Sequence, residues 1–322
     1  MRSLSGLRAV VTGGAGFVGS WVCQRLVERG AEVVCVDNFA TGCPENLAAL
    51  EPSPLFTFRE IDVTDGLTVA GRVDWVLHLA SPASPVHYLR MPIETLTVGS
   101  IGTKHALELA ERKHARFVIT STSEVYGDPL EHPQRETYWG NVNPVGPRSV
   151  YDESKRFAES LTTAFGRHRG VRTGIARLFN TYGPRLSRED GRAVPTFIDQ
   201  ALAGEPITVA GDGGQTRSLC FVDDTVEGII ALADSDVSEP VNLGSDAELT
   251  ILELATRIRE LAGSDSEIVH VERPIDDPQV RRPDTTRARE LLGWRPRVSL
   301  DEGLRRTLEW ARQSPQPEQV AS

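Results

Sequence analysis

Cysteine is scarce in this sequence, with four residues among 322. Cys23, Cys35, Cys43 and Cys220 include no Cys-x-x-Cys pair, and no cluster of cysteine and histidine has the spacing of metal ligands. The sequence therefore predicts neither a structural disulfide nor a metal site. Reduced thiols are typical of a cytoplasmic protein, and we expect that location.

Long apolar runs are also lacking, since none reaches the roughly 18 residues of a membrane-spanning helix. The first residues do not have the pattern of a signal peptide, so we expect no membrane association. Basic residues are outnumbered: 35 Lys and Arg stand against 45 Asp and Glu, a net charge of −10. Such a chain is not expected to bind nucleic acid, whose phosphates select basic surfaces. An anionic small substrate is compatible with this charge where arginines cluster.

The sequence does contain an alternation of short Val- and Ile-rich runs with helical patterns. This alternation is typical of an α/β fold, a Rossmann-type doubly wound parallel sheet with helices on both faces. The predicted strands are Arg8–Thr12, Glu32–Asp37, Leu55–Glu60, Trp75–Leu79, Arg116–Thr120, Arg172–Leu178 and Val241–Leu243. The predicted helices are Gly16–Glu28, Pro92–Arg112, Asp152–His168, Ala193–Ala203, Thr225–Ala233, Ile251–Ala262 and Thr285–Leu292.

The first predicted strand runs into the loop Gly13–Gly19, a GxxGxxG pattern that opens a helix. Glycine lets backbone N–H groups approach a phosphate closely, and the helix N-terminus adds partial positive charge. Asp37 ends the next strand about twenty residues on, as in the dinucleotide-binding fingerprint. Its carboxylate suits the adenosine ribose hydroxyls and would repel a 2′-phosphate, so the pattern predicts NAD rather than NADP. The alternative is a glycine-rich turn with Asp37 as a strand cap.

Two further strand ends would lie along the cofactor. Asp62 and Val63 follow the third strand at the adenine edge, although Asp62 could be an ordinary strand-end residue. The segment Leu79–Ser81 has small residues that fit either close approach to the cofactor or an ordinary core, and His78 is interpreted as a buried core histidine. The predicted cofactor-binding residues are Gly13, Gly16, Phe17, Val18, Gly19, Asp37, Asn38, Asp62, Val63, Leu79, Ala80, Ser81, Tyr151 and Lys155.

The domain organisation follows from these motifs and from the loop-rich last third of the chain. We expect the NAD-binding Rossmann domain in residues 1–182, with residues 218–245 returning to it. Residues 183–217 and 246–312 would form a smaller C-terminal substrate-binding lobe over the carboxyl edge of the sheet, where open α/β sheets bind ligands. Residues 313–322 are rich in Pro and Gln and are expected to be a disordered tail.

A tyrosine and a lysine form the predicted catalytic pair. Thr120–Gly127 ends a strand and is rich in hydroxyls, and Tyr151 opens a later helix with Lys155 one turn on, on the same face. A free tyrosine has a pKa of about 10. The Lys155 ammonium and an oxidised nicotinamide would both favour the phenolate and lower that pKa. Tyr151 is therefore the predicted base, and the Thr122 hydroxyl would share the proton of the substrate.

Further characteristic sequence segments extend over most of the chain, from about Leu7 to Thr307. The glycine loop and Tyr-x-x-x-Lys are general, whereas Tyr138–Pro144 and Arg281–Asp284 are the most specific phrases. Other phrases are 80–88, 124–129, 136–137, 146–148, 180–185, 190–192, 211–213, 215–218 and 241–244. Together they resemble the UDP-glucuronate decarboxylase (UDP-xylose synthase) family of the extended short-chain dehydrogenase/reductase superfamily.

The resemblance implies NAD-dependent conversion of UDP-glucuronate to UDP-xylose, a nucleotide-sugar-binding lobe, and a homodimer built through Pro92–Arg112 and Asp152–His168. Arg281 would bind the substrate carboxylate, while Ser123 and Glu124 contact the sugar. The implied catalytic residues are Thr122, Ser123, Glu124, Tyr151, Lys155 and Arg281. The implied substrate-binding residues are Tyr88, Glu124, Asn180, Arg185, Arg192, Gln215, Arg217 and Arg281.

The chemistry of a sugar acid accounts for such residues. Loss of CO₂ needs an electron sink β to the carboxylate, and oxidation of C4 to a ketone supplies one. Arg185, Arg192, Arg217, Arg281 and Arg282 are available for the diphosphate and the carboxylate, since guanidinium suits both groups. Each of them could instead be a solvated surface charge.

The chain departs from the family pattern at three places, of which Leu219–Phe221 replaces a more aromatic run and is expected only to repack. Ala210 stands where the decarboxylases usually have tyrosine, which leaves the detail of the nucleotide pocket open. Ser154 replaces a glycine of the Tyr-Asp-Glu-Gly-Lys phrase and should be tolerated, because serine is the better helix former.

Three alternatives are weighed against the decarboxylase. A UDP-hexose or UDP-uronate 4-epimerase would use the same cofactor and Tyr-Lys pair, but usually has no glutamate at the strand end. A nucleotide-sugar 4,6-dehydratase needs an Asp-Glu pair where this chain has Ser123-Glu124. A non-catalytic NAD-binding scaffold would have lost the Tyr-Lys pair or the hydroxyl, and both are intact.

Overall fold

The computed structural model describes residues 2–273 and 279–313. The strands in these residues are β1 Arg8–Thr12, β2 Glu32–Asp37, β3 Phe56–Glu60, β4 Trp75–His78, β5 Arg116–Thr122, β6 Thr173–Leu178, β7 Thr181–Tyr182, β8 Ile207–Ala210, β9 Thr216–Ser218, β10 Cys220–Phe221, β11 Pro240–Leu243, β12 Glu248–Thr250 and β13 Ile268–Val271. The α-helices are α1 Phe17–Glu28, α2 Pro85–Arg90, α3 Pro92–Thr97, α4 Thr103–Lys113, α5 Ser149–Arg169, α6 Ala193–Ala203, α7 Val222–Ala233, α8 Ile251–Ala262, α9 Thr286–Leu292 and α10 Leu300–Gln313.

Seven strands form the main sheet, in the order β11-β6-β5-β4-β1-β2-β3, and every neighbouring pair is parallel. The order from β3 to β6 is that of a doubly wound dinucleotide-binding sheet. The predicted α/β fold is confirmed, and each of the seven predicted strands is present in this sheet.

Successive residues of a strand point to opposite faces of the sheet, and both faces are buried. Val10 lies in one apolar cluster with Val34, whereas Val11 and Cys35 lie in the cluster on the other face. This double burial explains why the strands read as continuous apolar runs rather than as an apolar–polar alternation.

The predicted helix Pro92–Arg112 is interrupted. Helices α3 and α4 are separated by one π-helical turn, Val98–Gly102. This turn packs closely on α5: a Cβ placed on Gly99 would lie 2.7 Å from the Cβ of Ser154. Ser154 is therefore accommodated by the glycine opposite it, and its hydroxyl donates to the Tyr151 carbonyl oxygen at 2.7 Å.

Several elements were not predicted from the sequence. Helix α2 follows a capping serine, Ser84, and has Pro85 at its first position. These two residues are a helix start signal that is visible in the sequence. Helix α10 and the small β8–β13 and β9–β12 sheets were also missed. These small sheets lie in the last third of the chain, where α6, α8 and α10 pack against one another.

Two predictions fall partly outside the described residues. The expected tail of residues 313–322 lies beyond them except for Gln313, which ends α10. Residues 274–278 of the predicted substrate-binding lobe are also outside. Within the described ranges, no helix combines the length and apolar character needed to cross a membrane, and all four cysteines are free thiols.

Candidate active site

The glycine loop after β1 leaves no room for side chains at two positions. A Cβ on Gly13, whose φ is +70°, would lie 2.6 Å from the Ala80 nitrogen. A Cβ on Gly19 would lie 2.0 Å from the Gly13 carbonyl oxygen. Helix α1 begins here without a side-chain cap from the described residues, so its first N–H groups can face a ligand. The loop has the close backbone approach that a dinucleotide pyrophosphate requires.

Asp37 and Asp62 lie at the ends of β2 and β3, along the same edge of the sheet. The Asp37 carboxylate accepts hydrogen bonds from the Ala15 and Phe39 N–H groups, both at 2.9 Å. Burial raises the pKa of Asp37, and these N–H donors act against that rise. Asp62 accepts from the Asn38 amide at 2.9 Å, so the two strand ends are linked. Asp62 Oδ1 also accepts from the Thr64 N–H at 2.8 Å and hydroxyl at 2.7 Å, so its Oδ2 is the oxygen that keeps a lone pair for a ribose or adenine donor.

One cavity of 1120 Å³ runs along the carboxyl edge of the sheet, and every residue predicted to bind cofactor or substrate lines it. The catalytic candidates at the end of β5, the start of α5 and the 281–284 segment also lie in its wall. Residues separated by more than 250 positions are therefore brought to one place by the parallel topology, as expected for an open α/β sheet.

Tyr151 and Lys155 lie one turn apart on the buried face of α5. The Lys155 ammonium donates to the Thr120 carbonyl oxygen at 3.0 Å and lies 5.8 Å from the centre of the Tyr151 ring. Burial lowers the pKa of Lys155 to about 8, while Glu159 acts in the opposite direction. The Tyr151 ring stacks on Tyr88 with centroids 5.1 Å apart, which fixes its orientation.

Burial raises the pKa of Tyr151 in the protein alone. The largest opposing contribution is a hydrogen bond with the Thr122 hydroxyl, and the charge of Arg192 makes a smaller one. The contact between Tyr151 and Thr122 agrees with the sequence prediction. The lowering of this pKa by Lys155 together with an oxidised nicotinamide stays a prediction.

Glu124 forms the most strongly charged contact in the site. Its carboxylate accepts from both terminal nitrogens of Arg281, one of them at 3.0 Å, and from Arg148 at 2.7 Å. Burial alone would raise the pKa of Glu124, but the two guanidinium groups outweigh it and lower the pKa to about 2. Glu124 is therefore an anion at neutral pH and acts here as an acceptor.

Arg148 is a site residue to which the sequence reasoning gave no role. It immediately precedes α5, three residues before Tyr151, and it lines the cavity. Its neighbour Asp152 is also buried, and burial together with Glu124 raises the pKa of Asp152 to about 7. The available signal was the Gly146–Arg148 phrase, which would have placed a cation at the start of the catalytic helix.

The remaining substrate candidates differ in their surroundings. Arg192 is paired with Asp190 and is close enough to Tyr151 to lower its pKa. Gln215 is buried and donates to the Ala210 carbonyl oxygen at 2.9 Å. The Asn180 side-chain nitrogen is buried with no hydrogen-bond partner among the described residues, as expected for a donor that awaits a ligand.

Arg185, which was expected to contact the charged groups of the substrate, lines the cavity beside helix α1. Its guanidinium stacks on Trp21 at 4.2 Å and donates to Gln24 at 2.5 Å. Its backbone has a positive φ of +71°. Within the cavity these contacts lie on the side of the glycine loop rather than on that of Glu124.

His78 is a core residue, as predicted. Its two ring nitrogens are hydrogen-bonded to the Thr12 and Thr103 hydroxyls at 2.7 and 3.2 Å. Burial, with a smaller contribution from Lys155, lowers its pKa to about 3. It is therefore neutral and fully bonded, which suits a structural role.

Residues 9–244 match the NAD dependent epimerase/dehydratase family. The chain is 52% identical over 300 residues to UDP-glucuronic acid decarboxylase 1 of Arabidopsis thaliana, a match that covers 93% of this chain and 68% of that protein. It is 49% identical over 305 residues to UDP-glucuronic acid decarboxylase 1 of Xenopus tropicalis, covering 95% of this chain and 72% of that protein.

Solved structures share the fold at lower sequence identity. UDP-glucose 4-epimerase of Thermotoga maritima with UDP-glucose has a TM-score of 0.88 and 31% identity, covering 95% of this chain and 99% of that one. UDP-glucuronic acid 4-epimerase of Bacillus cereus, in complex with UDP-glucuronic acid and NAD, has a TM-score of 0.84 and 27% identity over the same shares. The scaffold is common to these proteins, while sequence identity is higher to the two decarboxylases.

Proposed function

Because this chain belongs to the UDP-glucuronic acid decarboxylases within the NAD dependent epimerase/dehydratase family, we infer that it decarboxylates UDP-glucuronate to UDP-xylose with NAD as cofactor. The observation that carries this proposal is the contact between Glu124 and Arg281 in the cavity that also contains Tyr151 and Lys155. It provides a fixed guanidinium for the carboxylate of the sugar next to the base that oxidation requires.

The glycine loop fits the cofactor, since Gly13 and Gly19 let the backbone pack closely under the start of α1, and the uncapped N–H groups of that helix are available to the pyrophosphate. Asp37 would accept from the adenosine ribose, and Asp62 with Asn38 would border the adenine. Held by these residues, NAD⁺ would supply a reversible hydride acceptor for C4 of the sugar, and the positive charge of its oxidised form would favour the Tyr151 phenolate.

Tyr151 would remove the proton of the C4 hydroxyl as that carbon is oxidised. Burial raises the pKa of this phenol in the protein alone, so it becomes a base only when positive charge is added beside it. Thr122 holds the phenol through a hydrogen bond and can pass the proton between it and the sugar. Lys155 fixes the floor of the site through the Thr120 carbonyl.

Arg281 would bind the C6 carboxylate, and Glu124 would hold the guanidinium in position. Oxidation at C4 makes the sugar a β-keto acid, whose carboxylate leaves as CO₂ with its electrons delocalised onto the ketone. Protonation at C5 and reduction at C4 then complete a redox-neutral cycle. With a pKa of about 2, Glu124 supports the orienting role rather than the donation of a proton.

The rest of the substrate would lie toward the smaller lobe. We assign residues 183–217 and 246–312 to this lobe and the remainder of 1–245 to the cofactor domain, as expected from the sequence. Arg192, Arg217, Gln215 and the unpaired Asn180 amide would contact the diphosphate and nucleotide. Ala210 leaves this end of the cavity wider than the usual tyrosine would.

A homodimer is part of the proposal. Leu89, Ile93, Ile101 and Phe157 are between 46% and 67% exposed, and they lie on α2, α3, the π-helical turn and α5. Apolar side chains gathered on neighbouring helices support association through this surface. A cytoplasmic location stays a prediction, supported by the free thiols.

Proton NMR of the full-length protein with UDP-glucuronate and catalytic NAD⁺ tests the reaction. We expect a UDP-pentose to form without net NADH, with couplings at C4 that identify xylose. Formation of UDP-galacturonate would instead make the protein a 4-epimerase and remove the role given to Arg281. A 4-keto sugar that accumulates with stoichiometric NADH would show that the hydride is not returned.

A further inference from the structure

We propose that Gln134 is a positioning residue that sets Arg281 against the substrate carboxylate. Gln134 lies in the connection between β5 and α5, is distant from Arg281 in sequence, and is 1% exposed. It belongs to none of the motifs that carry the chemistry. The inference rests on the function proposed above for Arg281, and it extends that function to the residue that holds the arginine in place.

Gln134 is bound to the 281–284 segment through its main chain and its side chain. Its N–H donates to the Arg282 carbonyl oxygen and its carbonyl accepts from the Asp284 N–H, both at 2.8 Å. The side-chain oxygen accepts from the Arg282 N–H at 2.8 Å, and the side-chain nitrogen donates to the Glu131 carbonyl oxygen at 2.8 Å. Both ends of the buried amide are therefore occupied.

These contacts fix one peptide unit, the bond that joins Arg281 to Arg282. Its N–H side is held by the Gln134 side chain, and its C=O side accepts from the Ser218 N–H of β9 at 3.2 Å. A peptide plane bonded at both ends cannot rotate freely, so the direction in which Arg281 leaves the backbone is set. Asn242 secures the arrangement by donating to the Gln134 carbonyl oxygen at 3.0 Å.

The direction matters because Arg281 is buried and must meet two anions. Its guanidinium already contacts Glu124, and the substrate carboxylate would have to fit beside that contact. Without the Gln134 oxygen, the Arg282 N–H loses its acceptor and the peptide unit is held only at its carbonyl end, by Ser218. Recognition of the carboxylate should then weaken, while the uridine and the cofactor keep their contacts.

The test compares two ligands that differ only in the carboxylate. UDP-glucuronate and UDP-xylose are titrated calorimetrically into the NAD-loaded, full-length Tyr151→Phe protein, which removes the base and so prevents turnover. Gln134→Met keeps the length of the side chain but removes the acceptor. We expect the affinity for UDP-glucuronate to fall about tenfold, equivalent to about 1.4 kcal/mol, with little change for UDP-xylose.

Gln200→Met is the matched control. The Gln200 side-chain oxygen accepts from the Thr208 N–H at 3.0 Å, so the substitution removes the same kind of bond at a helix of the smaller lobe. The ratio of the two affinities should be unchanged in this control. If Gln134→Met does not fold, Gln134→Asn, which withdraws the oxygen by one carbon, carries the same expectation.

Three outcomes would overturn the inference. An equal loss of affinity for both ligands would mean that Gln134 supports the whole pocket rather than Arg281. An unchanged ratio in the Gln134 variants, with the ratio lost in Arg281→Met, would leave the proposed function intact and reject the positioning role. An unchanged ratio in Arg281→Met would reject the carboxylate contact itself and the inference built on it.

Discussion

Function and stability are opposed at Lys155. Its ammonium is buried beneath Tyr151 and donates one hydrogen bond, to the Thr120 carbonyl oxygen. Burial lowers its pKa to about 8, below the ordinary value of 10.5. The unfolded chain therefore holds this proton more tightly than the folded protein. The resulting loss of stability is complete below pH 8 and disappears as the pH rises toward 10.5.

Lys155→Met should therefore abolish activity and stabilise the fold. We expect kcat to fall by at least about 10², and the free energy of unfolding at pH 7 to rise by about 1–3 kcal/mol. Urea denaturation without added NAD measures the change, and the gain should be smaller at pH 9.5. The exposed Lys104→Met is the control, with a change of about 0.5 kcal/mol or less. A less stable Lys155 variant at pH 7 would contradict the argument.

The predictability of single residues depended on whether their chemistry is visible in a motif. Tyr151, Lys155 and Glu124 stand in recognisable phrases, and the structure brings them into one cavity. The second guanidinium on Glu124, from Arg148, was missed because charge pairing across 24 residues has no local pattern. The contacts of Arg185 with Trp21 and Gln24 of α1 join residues more than 160 positions apart, so no local pattern could predict them.

The glycine loop and helix α1 act as one element, because the helix can begin only if the loop turns tightly beneath it. Gly19 lies on the first turn of α1 and packs on the carbonyl of Gly13. No adjustment of a side chain can relieve a contact between a Cβ and a backbone oxygen. A methyl group at this position should displace the helix start from the site of the pyrophosphate.

Gly19→Ala is expected to weaken NAD binding by at least about tenfold, the equivalent of one lost charge-assisted hydrogen bond. Quenching of intrinsic fluorescence during titration with NAD measures it. Gly228→Ala is the matched control. The two atoms nearest to its Cβ would both belong to the Leu243 side chain, at 2.9 Å, and not to the backbone. That variant should lose some stability but keep its NAD affinity. Equal NAD affinity in the two variants would argue against the role given to the loop.

Helix boundaries depend on contacts between elements as well as on the local sequence. Residues 92–112 have a continuous helical pattern, yet the chain forms a π-helical turn at Val98–Gly102. The interruption coincides with the close approach to Ser154 of α5, a contact between elements 50 residues apart. Local propensity could predict the helices but could not predict the geometry forced by the neighbour.

At the scale of the whole molecule, the prominent surface feature is the group of exposed apolar side chains on α2, α3, the π-helical turn and α5. An interface there would bury Ile101 and Phe157, which are 46% and 51% exposed in the single chain. The same helix α5 carries Tyr151 and Lys155 on its opposite, buried side. Association would therefore reinforce the element that holds the catalytic pair.

The double variant Ile101→Asp and Phe157→Asp should be a monomer, because two desolvated carboxylates in each half of the interface would oppose association. Sedimentation velocity measures the mass, and the unaltered chain should be a dimer. Leu130→Asp with Val145→Asp is the control. These side chains are 81% and 90% exposed, and they lie on none of the helices α2, α3, α4 and α5. A monomeric unaltered chain, or a double variant that stays dimeric, would exclude this interface.

The fold class and the seven strands of the sheet could be predicted from the sequence and are confirmed, and the sequence also predicts the cofactor loop and Tyr151 as the base. Each is encoded locally, through apolar runs, glycine spacing and a four-residue helical repeat. Which side chains meet could be seen only in the tertiary structure: Glu124 with both Arg148 and Arg281, Arg185 with α1, and Gln134 with the 281–284 segment. The reason is physical, since hydrogen bonds and ion pairs across the edge of a sheet depend on distances that no linear pattern records.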